Sequence, residues 1–249
     1  MRNPKKIKLS LIVPVYNEEK RIHNLEEIIS YAKKDGLIHE IIVVNDGSTD
    51  RTNKLLKDIA NTYPLTIVSY KKNRGKGHAI KKGVLSAKGT HVVFIDIDLS
   101  TPISTIKPLV KIIPQFDIVI GTRKNKEARL KERQPLLREL MGKSFTFLSQ
   151  TLLKVYVTDF TCGFKCFAKK AAFKIFSLQK IERWSFDAEA LFLAKKLNFS
   201  IGELPVVWKN DPNTKVKFPQ DILISIYELL TIINNERKGA YKKLLNGAQ

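Results

Sequence analysis

With 249 residues and 43% apolar side chains the chain can bury one substantial core, and 44 Lys and Arg against 24 Asp and Glu leave a formal charge of +20. This composition excludes a disulfide framework or a cysteine-based zinc set, because Cys162 and Cys166 are the only cysteines and no nearby His completes a ligand group. It also excludes a membrane-spanning helix, since no segment reaches ~18 consecutive apolar residues, and it points to an anionic partner: nucleic acid, an acidic lipid surface or a phosphorylated substrate.

Met1 to Lys8 is basic and lacks the apolar run of a signal peptide, and two reduced core thiols suit a cytosolic chain. Leu9 to Pro14 reads as the first strand, followed by a helix over Glu18 to Lys34. Ile41 to Val44 is a second strand, and Asp50 to Asn61 a second helix with Ser48 or Asp50 as its cap. Leu65 to Tyr70, Gly77 to Ala87 and His91 to Ile95 continue the rhythm as strand, helix and strand. Ile103 to Ile113 is a short helix and Asp117 to Ile120 a further strand. Apolar strands alternating with helices predict a mostly parallel sheet covered on both faces.

After Gly121 the rhythm breaks. Residues 121–143 carry eight basic side chains against three acidic ones, leading into a helix from about Pro135 to Leu153. Cys162 to Phe167, a helix near Ala188 to Leu197, a strand around Ile201 to Trp208 and a surface helix from about Pro219 complete the chain. The expectation is a single α/β domain, with a donor-binding half at about residues 8–121 and an acceptor-binding half at about 122–235.

The strand run Phe94-Ile95-Asp96-Ile97-Asp98 carries the sharpest chemical signal. Side chains alternate along a strand, so both carboxylates project to one side of a parallel-strand carboxyl end, where α/β proteins bind ligands. Two such acids repel unless a cation lies between them, and Mg²⁺ or Mn²⁺ suits one or two carboxylates completed by phosphate oxygens and water. Asn45-Asp46-Gly47-Ser48-Thr49-Asp50 offers an acid and hydroxyls to a base or ribose, and Asn73-Arg74-Gly75-Lys76-Gly77 offers cations and close backbone approach to a diphosphate. Pro14-Val15-Tyr16-Asn17-Glu18 places an aromatic ring and a carboxylate at the same rim.

These runs, with Gly121-Thr122-Arg123, resemble the inverting glycosyltransferases of family 2. Residues 159–167 (DFTCGFKCF), 183–189 (RWSFDAE) and 203–208 (ELPVVW) resemble the dolichyl-phosphate glucose synthases and their polyprenyl-phosphate mannose relatives. The resemblance covers roughly residues 8–235 and implies a GT-A type, Rossmann-like fold, a divalent metal, a UDP-glucose or GDP-mannose donor and a polyprenyl phosphate acceptor. It assigns Pro14, Tyr16, Glu18, Asp46, Lys76 and Asp96 to the nucleotide-sugar site, and Asp96 and Asp98 to the metal. Arg123, Arg133 and Arg138 fall to the acceptor phosphate, with Asp98, Arg123 and Arg138 as the groups that promote reaction. Asn45 stands where many relatives carry Asp, Ile97 where they carry a small residue, Phe160-Thr161 where they carry Thr-Gln, and Asn213-Thr214-Lys215 where they carry Gly-Ser-Lys.

An anionic acceptor phosphate needs no general base, which agrees with the scattered placement of His23, His39, His78 and His91. A saccharide or lipid hydroxyl acceptor would need one, and Asp159 or Asp187 would be the candidate. A basic nucleic-acid module without catalysis is a distant alternative, and no nucleic-acid partner is expected. A lipid acceptor implies a peripheral enzyme on the cytoplasmic face of a membrane, with the helix over Phe218 to Ile233 either packed on the sheet or touching lipid.

Overall fold

The computed structural model of the chain describes residues 7–132, 135–212, 215 and 219–242. Its sheet begins with β1 (Leu9–Val15), β2 (Ile38–Asp46), β3 (Thr66–Tyr70) and β4 (His91–Phe94), with helices α1 (Asn24–Asp35), α2 (Thr52–Thr62) and α3 (Lys76–Ser86) between them. After α4 (Ile106–Ile112), β5 (Ile118–Thr122) and β6 (Arg129–Glu132) lead to α5 (Leu136–Leu153). The remainder comprises β7 (Lys165–Ala168), α6 (Lys169–Leu178), α7 (Phe186–Lys196), β8 (Ile201–Pro205), β9 (Val207–Lys209) and α8 (Gln220–Arg237).

Seven strands form one sheet in the order β3-β2-β1-β4-β7-β5-β8, parallel except for β7. The sheet does not divide at residue 121: β7, from the second half, lies between β4 and β5 of the first. Alternation along β1 sends Ile12 to the face covered by α3, α6 and α7, while Leu11 and Val13 meet α1 and α4 on the other. Each face therefore has its own apolar layer, which is why these strands read as continuous apolar runs.

The structure departs from the sequence reading at identifiable places. α1 starts at Asn24 because Glu18 to His23 are held in turns, with Glu18 N–H donating to Thr52 Oγ1 at 2.7 Å. The expected strand over Ile201 to Trp208 breaks at Val206, whose N–H still donates to Thr122 O of β5 while its carbonyl accepts the Arg129 N–H; β8 stays in the main sheet and β9 pairs with β6 in a separate two-stranded ribbon. α6 has no counterpart in that reading. Arg51, rather than Ser48 or Asp50, sits at the α2 cap; Asp50 accepts the Thr52 N–H at 2.9 Å just ahead of it, and Ser48 Oγ accepts from Asn17 N–H.

Because β1, β2, β4 and β5 run the same way, their carboxyl ends share one rim, and antiparallel β7 begins there. That topology brings Tyr16, Asp46, Asp96, Asp98 and Arg123 together with Gly163 and Lys165.

Candidate active site

The two aspartates sit just past β4. Ile95 N–H still donates to Ile12 O at 3.1 Å, but the next bond of the parallel ladder would come from the nitrogen of Pro14, which has no hydrogen. The chain therefore turns away from the sheet at Asp96, through Leu99 at φ 51°. Ile95 and Ile97 stay buried and the two carboxylates face the rim.

A cleft of about 20 Å³ lies between Asp96, Asp98, Ser100, Thr101, Gly163 and Trp208, room for one ion or water. Gly163 creates part of it: an added Cβ would lie 2.6 Å from Asp96 Cγ. Burial pushes the Asp98 carboxyl above its ordinary pKa, and the Asp96 charge adds to the shift. Asp98 Oδ1 accepts the Ser100 N–H at 2.9 Å, and Asp96 Oδ1 pairs with Lys76 Nζ at 2.5 Å. Two carboxylates side by side at an ion-sized cleft fit a hard divalent cation that takes its other ligands from phosphate and water. Among the described residues no group of three or more His, Cys, Asp or Glu offers an all-protein cage.

The glycine loop does something other than face a diphosphate with open N–H groups. Gly77 N–H and His78 N–H donate to the carbonyls of Arg183 and Glu182 at 3.2 and 2.9 Å. A Cβ on Gly75 would meet Glu182 O at 2.6 Å, and one on Gly77 would meet Phe186 Cβ at 2.5 Å. Both glycines serve close packing on residues 181–186, which leaves Lys76 aimed at Asp96. Asp46 holds this loop from below, its carboxylate accepting from Arg74 N–H, Gly75 N–H and Asn73 Nδ2, each at 2.8 Å.

At the β1 exit Tyr16 is exposed and Pro14 half-buried. Glu18 is buried and grips Arg21 through both oxygens at 2.6 and 2.7 Å; Arg21 in turn reaches Asp211 at 2.8 Å. Burial raises the Glu18 carboxyl, Arg21 opposes this, and nearby Asp98 adds to it. Lys215 Nζ donates to Asn17 O at 2.5 Å, so the segment after β9 reaches back over the β1 exit.

At the β5 exit Arg123 is committed to buried Asp159, with Nε and Nη2 donating at 2.7 and 2.9 Å and Nη2 also reaching Thr161 Oγ1 at 2.8 Å. Burial alone would raise the Asp159 carboxyl, but the Arg123 guanidinium holds it well below the usual carboxylate range. Arg138, on the first turn of α5, forms no hydrogen bond or ion pair to a described residue. Burial lowers its pKa, the Arg123 charge lowers it further, and Asp98 and Asp211 act in the opposite direction. Arg138 is thus within electrostatic range of Arg123, Asp98 and Asp211, while Arg133 lies outside the described residues, as do Asn213 and Thr214.

Sequence reasoning missed Gly163, Arg21 and the ion pair of Lys165 with Asp187 at 2.6 Å, in which the lysine is fully buried. Arg21 was detectable, being three residues from Glu18, the spacing at which side chains on a helical turn meet. The Lys165 pair was not, since it joins β7 to α7.

A family profile described as Glycosyl transferase family 2 matches residues 10–176. A dolichyl-phosphate beta-glucosyltransferase of Dictyostelium discoideum is 35% identical over 239 residues, which cover 87% of this chain and 73% of that protein. The Homo sapiens protein of the same description is 34% identical, with 84% and 69% covered. Among solved structures, glucosyl-3-phosphoglycerate synthase of Mycobacterium tuberculosis, crystallised with Mn²⁺, UDP and glucosyl-3-phosphoglycerate, aligns with a TM-score of 0.65 at 21% identity, covering 92% of this chain and 80% of that one. S. aureus TarS residues 1–349 with UDP-GlcNAc aligns at 0.57 and 22%, covering 92% and 67%. These structures share the GT-A fold with this chain.

Proposed function

The chain belongs to glycosyltransferase family 2, and from that premise we propose that it moves glucose from a nucleotide diphosphate sugar to a dolichyl-type polyprenyl phosphate. The observation that supports the reading is Arg138: a part-buried guanidinium on the first turn of α5, with no hydrogen bond or ion pair to a described residue and within electrostatic range of Arg123, Asp98 and Asp211. Such a guanidinium is open to an anion, and the fork geometry of Arg suits phosphate oxygens.

A phosphate monoester, with its second pKa near ~6, already carries the nucleophilic oxygen as an anion at neutral pH. That oxygen attacks the anomeric carbon, the bond from this carbon to the donor phosphate breaks, and the electron pair leaves on the nucleoside diphosphate, with no proton to be moved. Asp96 and Asp98 would hold Mg²⁺ or Mn²⁺, which supplies charge neutralisation for the leaving diphosphate. Lys76 orients Asp96, Asp46 holds the loop that carries Lys76, and Tyr16, Pro14 and Glu18 border the nucleoside. The hydroxyl-acceptor alternative is disfavoured by Asp159 and Asp187. The first is fully buried and has both oxygens on Arg123; the second is buried against Lys165. Neither is open to take a proton from an acceptor hydroxyl.

The lipid would be met by α5 and α8. Both pack their inner sides on the body, α8 through fully buried Leu229 and Ile232, yet Leu136, Leu140 and Phe147 of α5 and Leu223, Ile226, Tyr227 and Leu230 of α8 point outward, Leu136 at 81% exposure and Phe147 and Tyr227 at 71%. The last helix packs on the body as expected, and its exposed apolar face supports lipid contact beside that packing. Among the described residues no helix is long and apolar enough to cross a membrane. The occupant this face fits is an anionic bilayer: exposed Lys143, Lys154, Arg237 and Lys238 flank the apolar stripes, and each basic residue near such a surface is worth about 1 kcal/mol. The stripe on α5 also runs to the turn that carries Arg138, which would take the headgroup phosphate. The buried, unpaired Cys162 and Cys166 support the cytoplasmic face as its place.

Purified protein with Mg²⁺, a polyprenyl phosphate and labelled UDP-glucose, GDP-mannose or UDP-N-acetylglucosamine in parallel should place label in the organic phase from UDP-glucose. Label on added saccharides alone would reverse the acceptor assignment. For the surface, Leu140→Asp with Tyr227→Asp should reduce co-sedimentation with phosphatidylserine-containing vesicles about tenfold. Transfer to a short, water-soluble isoprenyl phosphate should persist. Unchanged vesicle binding, or a concentration-dependent dimer that the same changes abolish, would show the face to be occupied by something else.

A further inference from the structure

Three successive residues at the end of β5 each tether a different element. Thr122 Oγ1 contacts Thr158 Oγ1 at 2.6 Å, Arg123 grips Asp159, and Lys124 reaches across to the middle of α5. Lys124 Nζ donates to Gly142 O at 3.0 Å and to Thr146 Oγ1 at 2.5 Å, while Thr146 Oγ1 donates to the same Gly142 carbonyl at 2.9 Å. A half-buried ammonium on a mid-helix carbonyl is an uncommon arrangement, because that carbonyl already has a place in the helical ladder. Burial pushes the Lys124 pKa down, Asp159 and Glu139 oppose this, and the neighbouring Arg123 and Lys143 charges add to it. The arrangement has no role in the chemistry described so far.

Its position suggests the role. The first turns of α5 expose Leu136 and Leu140, so these two side chains do not fix this end of the helix. Arg138 lies on that end, one turn before Gly142, and Lys124 is bonded in sequence to Arg123. We propose that Lys124 is a positioning residue that clasps α5 to the β5 exit and so sets the spacing between Arg138 and Arg123 for an acceptor phosphate. The inference rests on the acceptor site argued above. It differs from direct binding by Lys124, whose ammonium is spent on Gly142 and Thr146.

Kinetics in Lys124→Met, Arg138→Ala and the double variant test it. Lys124→Met keeps the aliphatic stem and removes the donor. It should raise the acceptor KM about tenfold, leaving kcat at saturating acceptor and the affinity for UDP within about twofold, because charged hydrogen bonds of this kind carry about that much. In the Arg138→Ala background the same change should add less than about twofold, since it acts through Arg138. Lys124→Arg, which keeps a charged donor, should restore most of the loss, and it serves as the second variant if Lys124→Met does not fold. Full additivity of the two changes, or an equal loss of UDP affinity in Lys124→Met, would overturn the clasp. An Arg138→Ala enzyme with unchanged acceptor KM would instead overturn the acceptor site itself.

Discussion

Asp98→Asn should lower glycosyl transfer about a thousandfold while leaving the protein as stable as before or more so. The size of the loss follows from removing a group that fixes charge at the leaving diphosphate, where one preorganised electrostatic contact is worth about a hundred- to a thousandfold in kcat. The stability half follows from the local field. Burial and the Asp96 charge raise the Asp98 carboxyl, so its ionised form is disfavoured in the folded state at neutral pH. Asn removes that charge and keeps an oxygen for the Ser100 N–H, now at 2.9 Å from Oδ1. Transfer assays over a Mn²⁺ titration together with thermal melts separate the two effects. Activity within tenfold of the parent at saturating Mn²⁺, or a large fall in Tm, would remove Asp98 from the metal-holding role.

Gly163→Ala should be nearly as damaging to activity, with a much smaller effect on stability than a core clash would have. Its Cβ would lie 2.6 Å from Asp96 Cγ, a distance that no real contact sustains. The Asp96 side chain is 34% exposed, so it can rotate away and the backbone need not move. Rotation breaks the 2.5 Å pair with Lys76 and takes a carboxylate out of the cleft. We expect kcat/KM to fall about a hundredfold or more, with a weakened apparent affinity for Mn²⁺ and a Tm within a few degrees of the parent. A Tm loss without a change in the metal dependence would mean that Gly163 serves packing alone.

The parallel α/β architecture was legible because the pattern is local: short apolar runs at Leu9 to Pro14, Ile41 to Val44 and His91 to Ile95 alternate with helical stretches, as strands buried on both faces do. The register of residues 201–208 was not, since Val206 changes partners, its N–H on Thr122 O of β5 and its carbonyl accepting from Arg129 N–H beside β6, and both partners are far away in the chain. Likewise α1 begins late because Thr52 and Arg21 hold Glu18 in a turn, and nothing between Glu18 and His23 announces those contacts.

The site divides in the same way. Residue type and spacing alone marked Asp96 and Asp98 as a carboxylate pair, and the resemblance of the surrounding runs brought Lys76, Asp46, Arg123 and Arg138 to the same chemistry. What each group does was decided by tertiary contacts. Pro14, lacking an N–H, ends the ladder beside Ile95 and turns Asp96 outward; Gly75 and Gly77 admit residues 182–186 rather than a ligand; Asp159 holds Arg123. Periodicity and residue chemistry are carried by neighbours along the chain, so the strands, the acidic rim and the basic second half could be read there. Burial and hydrogen-bond partners are set by segments tens of residues apart, so only the fold decided which charges are committed inside the protein and which remain open to a ligand.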